Sequence, residues 1–456
     1  MKLKQHLIIA LCFFLYSTQL TAQKWVPNPA SANLLPNNYG VYGIKVVDKD
    51  VIWATANFAT GAFPATHLIK ILRTTNGGQT WQLTNVNAAL NYFAFDIQAF
   101  DSTTAWISTF SNNNSTRSGL FKTTDGGQNW VQKLADSVGN HHLRFLDKNN
   151  GVCLSALSRR FAYTSDGGEN WTIDNTSLAF TGREHSAAAV SGTNAFIRKG
   201  DTLWFGTTAG RVFRSTNKGR NWTPYATGIP PNWSIPSLAF SDARNGMMVG
   251  VDSITFRYAG IAKTNDGGVT WQVVPMTLVS ASFNVLPLLT AIPNKNEKTY
   301  LLGTENQTST IAIGFLTLDN GNGWYALDKN INSHGASEFI SPQIGWIGNG
   351  YVNNAANSTT MFKWDDLGLF SPTAEPYDNT FFSVSPNPAK DILTLQFSDV
   401  SNLEAFDACI TDAAGKVVFK TKTLSKQLII NYLPEGVYFL TVKTKDKIGV
   451  MKFVKN

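Results

Sequence analysis

Thr123-Thr124-Asp125-Gly126-Gly127-Gln128-Asn129-Trp130 is one of six copies of a single pattern, Ser/Thr-x-Asp/Asn-x-Gly-x-x-Trp. The other five begin at Thr74, Thr164, Ser215, Thr264 and Thr317, so successive starts lie 49, 41, 51, 49 and 53 residues apart. That interval fits a four-stranded antiparallel unit and is too long for a helical hairpin or a leucine-rich turn. Each copy reads as a hairpin turn. The Asp or Asn at the third position can accept from backbone N–H groups two residues on, the fifth-position Gly supplies a positive φ, and the Trp returns to pack on the sheet. The pairs Asn76 and Trp81, Asp125 and Trp130, Asp166 and Trp171, Asn217 and Trp222, Asp266 and Trp271, and Asp319 and Trp324 are therefore structural.

Working outward, each copy is preceded by a short strand (LIKILR, GLFKT, RFAYT, RVFRS, GIAKT). Before that comes a strand that often carries Trp, as in VIWATA, TAWIST and TLWFGT, and before that an alternating apolar strand such as YGIKVVD or PSLAFSD. A seventh unit, SEFISPQIGWIGNGYVNNAANSTTMFKWDD, has three such strands, a decayed turn and no fourth strand. The segment Lys24–Asn28 (KWVPN) looks like the strand that follows the other turns, and is expected to close a ring as the outer strand of that unit. The repeated motif resembles the Asp box, or BNR repeat, of sialidases, sortilin-type receptors, xyloglucan hydrolases and photosystem II assembly propellers. The resemblance covers about residues 24–370 and implies an all-β, seven-bladed β-propeller; it does not by itself name a function, because the box lies away from the usual ligand mouth.

Composition agrees. Thirty-six Gly, thirteen Trp and only 15% charged residues describe short strands and tight turns rather than long amphipathic helices. Residues 1–22 read as an export signal, with basic Lys2 and Lys4, an apolar run from Leu7 to Tyr16 and small residues near Ala22. No later apolar stretch is long enough to span a bilayer. The formal charge is +7, with no basic run that would track a phosphate backbone, which argues against nucleic acid as a partner. Of three cysteines, Cys12 leaves with the signal, while Cys153 and Cys409 fall in different domains, so neither a disulfide framework nor a cysteine metal site is expected.

The propeller is expected over 23–370, a linker over 371–379 (SPTAEPYDN) and a small Ig-like β-sandwich over 380–456. The last resembles the type A C-terminal sorting domain of the Bacteroidetes type IX secretion system. The matching residues are Ser385-Pro386-Asn387-Pro388 with Asp391, the Asp412–Gly415 turn, Leu433-Pro434-Glu435-Gly436-Val437-Tyr438, and the basic end Lys452-Phe453-Val454-Lys455. The resemblance implies handling by the type IX machinery as a partner, removal of the domain by a sortase-like protease, and a secreted or surface-attached product.

In such propellers the loops joining second to third strands, and fourth strands to the next blade, gather at one face, with the boxes facing the other way. Ligand residues are expected on the loop face. The candidates there are Trp233, which follows Ile229-Pro230-Pro231, and His142, Arg144, Glu184, His185 and His334 at entries to inner strands. No cofactor is expected, and no metal, because the histidines come from separate blades without paired short spacing. A sialidase needs an arginine triad, and only Arg144 and Arg183 sit at inner-strand entries. A xyloglucanase needs two opposed acids, for which Glu184 and Glu338 are the nominees. The favoured reading is a binder of a glycan or protein, with a glycoside hydrolase as the alternative.

Overall fold

The computed structural model describes residues 25–58, 68–90, 92–111, 118–135, 141–155, 159–174, 178–187, 193–252, 254, 258–274, 287–293, 299–304, 314–321, 324–326, 334–350, 359–364, 381–398, 405–412, 417–444 and 448–456. The signal segment 1–22 and the linker 371–379 lie outside them. The chain divides into two compact units, one of Lys24–Trp324 and Asp328–Asp365, the other containing Asp366–Asn456.

The first unit is a β-propeller. Among its described residues, seven four-stranded sheets follow one another along the chain, each an antiparallel meander. Blade 1 is typical, with strands Tyr39–Val46, Ile52–Phe58, Leu68–Thr74 and Gln82–Leu90 running from the inside outward. The first strands of the other blades are Tyr92–Ala99, His141–Phe145, Phe196–Lys199, Trp233–Phe240, Pro287–Ile292 and His334–Ser341. Each adjoins the next, and the last adjoins the first. Second strands are buried on both faces between blades, which is why they read as continuous apolar runs; in Ile52–Phe58 only Phe58 is partly exposed.

The box geometry differs in one respect from the sequence expectation. Asp125 accepts not from the amide two residues on but from those of Gln128 and Asn129, both at 3.0 Å. The Thr123 hydroxyl donates to Asp125 at 2.8 Å and accepts from Gly127 N at 3.0 Å. The positive-φ pair Gly126 and Gly127 turns the chain so that the later amides converge on the carboxylate. These bonds, the Asn129 amide foremost, lower the Asp125 pKa to about 2.

The fifth-position glycine also joins blades. A Cβ on Gly78 would lie 2.4 Å from Cη2 of Trp346, and one on Gly168 2.6 Å from Nε1 of Trp106. The second-strand Trp of one blade thus packs beneath the box of the next, and Trp346 of blade 7 beneath box 1 carries this contact across the closure. The residues before boxes 2 and 3 reach the same way: Lys122 Nζ donates to Gly167 O at 3.2 Å, and the Tyr163 hydroxyl to Gly219 O at 2.6 Å.

Closure occurs as the sequence suggested. Trp25–Pro27 pairs antiparallel with Met361–Trp364 as the outer strand of blade 7, with Trp25 opposite Trp364. Trp25 is 2% exposed and meets the Trp364 ring edge-on at 5.0 Å. Just beyond the strand, Asn28 ties blade 7 to blade 1: its Nδ2 donates to Gly78 O at 3.0 Å, and its Oδ1 accepts from Trp81 Nε1 at 2.9 Å.

In the second unit, a three-stranded sheet (Phe382–Ser385, Ile392–Phe397, Gln427–Ile429) and a four-stranded sheet (Phe406–Asp412, Val417–Thr423, Gly436–Lys443, Ile448–Lys455) share one core. Leu393, Leu395 and Leu428 of the first meet Ile410, Leu440 and Phe453 of the second. The Ser385–Pro388 motif is pinned to the last strand. Asn387 donates to Lys452 O at 3.0 Å and accepts from Val454 N at 2.9 Å, while Ala389 N donates to Val454 O at 2.8 Å.

Candidate functional site

The boxes and the turns joining first to second strands share one face: Gly77, Gly126, Gly167 and Gly267 donate their N–H groups to carbonyls of Asp50, Thr103, Asn149 and Arg244, each in its own blade. First strands therefore run toward the box face. A cavity of about 220 Å3 lies at that end of the channel, lined from the later residues of all seven first strands. It sits at the end opposite the loop face on which the sequence gathers ligand residues, and much of the loop face lies outside the described residues.

One position per blade builds its wall. Lys45 stands opposite Trp53 in the neighbouring second strand, Gln98 opposite Trp106, Arg144 opposite Val152 and Ile197 opposite Trp204. Ala239, Thr290 and Glu338 continue the ring opposite Met247, Leu301 and Trp346. Because the register repeats, these seven side chains share one level. The polar members are contiguous, Thr290, Glu338, Lys45, Gln98 and Arg144 on blades 6, 7, 1, 2 and 3, and the remaining Ile197 and Ala239 on blades 4 and 5 are apolar.

The charges are largely matched. Lys45 Nζ lies 2.5 Å from Glu338 Oε1, and Val46 N donates to the other carboxylate oxygen, so this pair spans the joint between blades 1 and 7. Arg144 Nη1 lies 2.5 Å from Oδ2 of the fully buried Asp96, which also accepts from Leu143 N at 3.0 Å. Arg198 of blade 4 differs. Its Nε, Nη1 and Nη2 donate to the carbonyls of Gly200, Phe145 and Leu146 at 2.8, 3.1 and 2.8 Å. Burial lowers its pKa, partly opposed by Asp201 and Asp147.

Of the sequence candidates, Arg144 lines the cavity. His142 is fully buried, with Nδ1 3.9 Å from Asp96 Oδ2; it shares a strand face with Arg144 but lies two residues further from the cavity end. The Glu184 side chain is also fully buried and receives Nε of Arg211 at 3.0 Å, Nη2 of the same guanidinium, and Thr181 N at 3.0 Å. Burial pushes the Glu184 pKa up, but the bonds from Arg211, Thr207 and Thr181 outweigh it and leave it below the ordinary value. His185 Nδ1 lies 2.9 Å from Ser186 O. Trp233 packs with the Ile229, Ile235 and Leu238 cluster, over Gly250 and Gly260. Glu184, His185 and Trp233 do share a region around the Thr207–Arg211 turn, through the bonds Thr208 N to His185 O and Ile235 N to Thr207 O, both 3.0 Å. The side chain of His334 lies outside the described residues. The sequence reading missed Lys45, Gln98 and Arg198. For Lys45 and Gln98 the signal was periodic, since each, like Glu338, precedes a second-strand Trp by eight residues; Arg198 carries no such signal.

The fold defines a class of protein, a β-propeller followed by a small sandwich. Residues 383–456 match the family model described as a secretion system C-terminal sorting domain. The chain is a β-propeller carrying a type IX secretion sorting tail, which directs it to the cell surface or outside. Among solved structures it is similar to YCF48 from Cyanidioschyzon merolae, at 16% identity over 75% of this chain and 98% of that one, with a TM-score of 0.51. It is likewise similar to a structure described as YCF48 bound to D1 peptide, at 16% identity over 74% and 99%, with a TM-score of 0.50. At such identity the likeness concerns the fold. No curated protein sequence matches the chain. No helix among the described residues is long and apolar enough to cross a membrane.

Proposed function

We propose that this chain is an extracellular binding protein whose propeller takes a ligand in the cavity at the box-facing end of its channel, and whose tail over 380–456, joined by a linker at 371–379, serves export. The observation that carries this is the cavity itself, in which every blade contributes one side chain at one level and polar and apolar members are segregated. Concave sites with a few convergent polar groups are the usual seats of ligands. A neighbour of the same fold is described as bound to a peptide, which is consistent with such a role.

Hydrolysis is the weaker reading. Glycoside hydrolysis ordinarily uses two carboxyl groups facing the scissile bond. Glu338 is the one acidic side chain among the residues lining the cavity, and it is held by Lys45 and Val46 N. Glu184 does not line this cavity and is held by Arg211. The test is to incubate the full mature chain with polysaccharides, mucin glycans, sialosides and peptides, and to read bound and released species by mass spectrometry. The Ala291→Trp variant, which adds bulk at the cavity wall, runs alongside. Ligand bound by the parent and lost from the variant is the expected result. Released sugars, or binding that survives in the variant, would overturn the proposal.

A further inference from the structure

The chemistry of the cavity wall narrows the ligand class; this inference rests on the cavity being the ligand seat. Two of its cations are already met by acids, Lys45 by Glu338 and Arg144 by Asp96. Arg198 is not. Its bonds go to neutral main-chain carbonyls, so three of its five N–H donors are used and, among the described residues, no carboxylate is bonded to it. Asp147 and Asp201 act on it only at longer range. Lys199 lines the same wall and adds a second positive charge beside it. A guanidinium held by carbonyls keeps its charge and, here, one unused N–H on each terminal nitrogen to donate to an acid.

Next to Arg198 the wall is hydrocarbon, formed by Ile197, Ala239 and Ala291. Ile197 and Ala291 are both partly exposed. A hydroxyl-rich ring would leave its polar groups without partners there, whereas an aliphatic group would not. The volume of about 220 Å3 gives room for a residue-sized group.

We propose that the cavity binds a residue-sized aliphatic carboxylate, its acid group on Arg198 and its hydrocarbon against Ile197, Ala239 and Ala291. The first test needs no variant: the full mature chain is titrated by calorimetry with N-acetyl-leucine, with N-acetyl-leucinamide, which is neutral at the same shape, and with glucuronate. The acid is expected to bind at least about tenfold more tightly than the amide and than glucuronate, and to weaken as salt is raised. Arg198→Gln should remove about tenfold of the acid's affinity while leaving the amide unchanged. Because Arg198 also ties blade 4 to the Phe145–Leu146 carbonyls, Lys199→Gln serves as a second variant and should weaken the acid more than the amide. Equal binding of acid and amide, preference for glucuronate, or no binding of the acid overturns the inference. If a neutral ligand then binds in a manner abolished by Ala291→Trp, the cavity remains the ligand seat and only the carboxylate assignment falls.

Discussion

Removing the Trp25 side chain should open the propeller at its closure. Trp25 is 2% exposed, stands edge-on to Trp364 at 5.0 Å and lies 5.6 Å from Phe339, so it contributes to blade 7 as a core residue although it belongs to the N-terminal strand. Truncating a buried Trp to Ala typically costs about 3–5 kcal/mol. The unit from Trp25 to Trp364 spans 340 residues. At about 2.1 cal/mol/K per residue its unfolding entropy is on the order of 0.7 kcal/mol/K, so Trp25→Ala should lower Tm by roughly 4–7 °C. Deleting residues 23–30 removes the strand and the Asn28 bridge to Gly78 and Trp81, and leaves the Met361–Trp364 edge unpaired. That deletion should cost more than Trp25→Ala and promote association of the protein. Differential scanning calorimetry on the parent and both variants is the assay, with light scattering for association. A melting temperature within about 1 °C of the parent for both variants would show that the strand is an appendage, and the closure argument would fail.

The boxes give two further expectations. Gly78→Ala combines a φ of +86° with a Cβ 2.4 Å from Trp346, whereas Gly182→Ala combines a φ of +53° with open space. The first should cost about 2–4 kcal/mol and the second about 1 kcal/mol, so equal losses in urea melts would refute the packing of Trp346 beneath box 1. Acid should loosen the boxes in a defined window. The pKa values of Asp125, Asp166 and Asp266 are each lowered to about 2, by the Asn129 amide, the Asn170 amide and, against opposing burial, Thr270 respectively. Carboxylates depressed by folding stabilise fully above their unfolded values, and that contribution is lost as pH falls from about 4 to about 2. Replacing all three by Asn, which already occupies the position in boxes 1 and 4, should flatten the dependence of Tm on pH across that interval. An unchanged slope would mean that these carboxylates do not carry the acid response.

The propeller and its closure were legible because they rest on local chemistry repeated along the chain. A turn that needs Asp or Asn, a positive-φ Gly and a returning Trp leaves those residues at fixed spacing, and six copies name the fold. KWVPN was recognisable as the missing outer strand because an outer strand has its own pattern next to a box. The sorting tail was legible for a similar reason, as Asn387 and Tyr438 of its motifs make side-chain bonds to Lys452 O and Pro434 O that hold the local structure. What the sequence did not reveal was which side chains meet. Histidines at strand entries suggested a shared mouth, but His142, two residues before Arg144 on the same strand face, is fully buried beside Asp96 and does not line the cavity that Arg144 reaches. Glu184 looked like an available acid until the fold set Arg211, 27 residues later, against it. The cavity ring draws one residue from each of seven blades across some 300 residues of chain, at a level fixed by register and curvature. The eight-residue offset to a second-strand Trp marks Lys45, Gln98 and Glu338, and Arg144 was a candidate from its strand entry, but only the tertiary structure decided that these side chains meet around one channel with Arg198 beside a hydrocarbon wall.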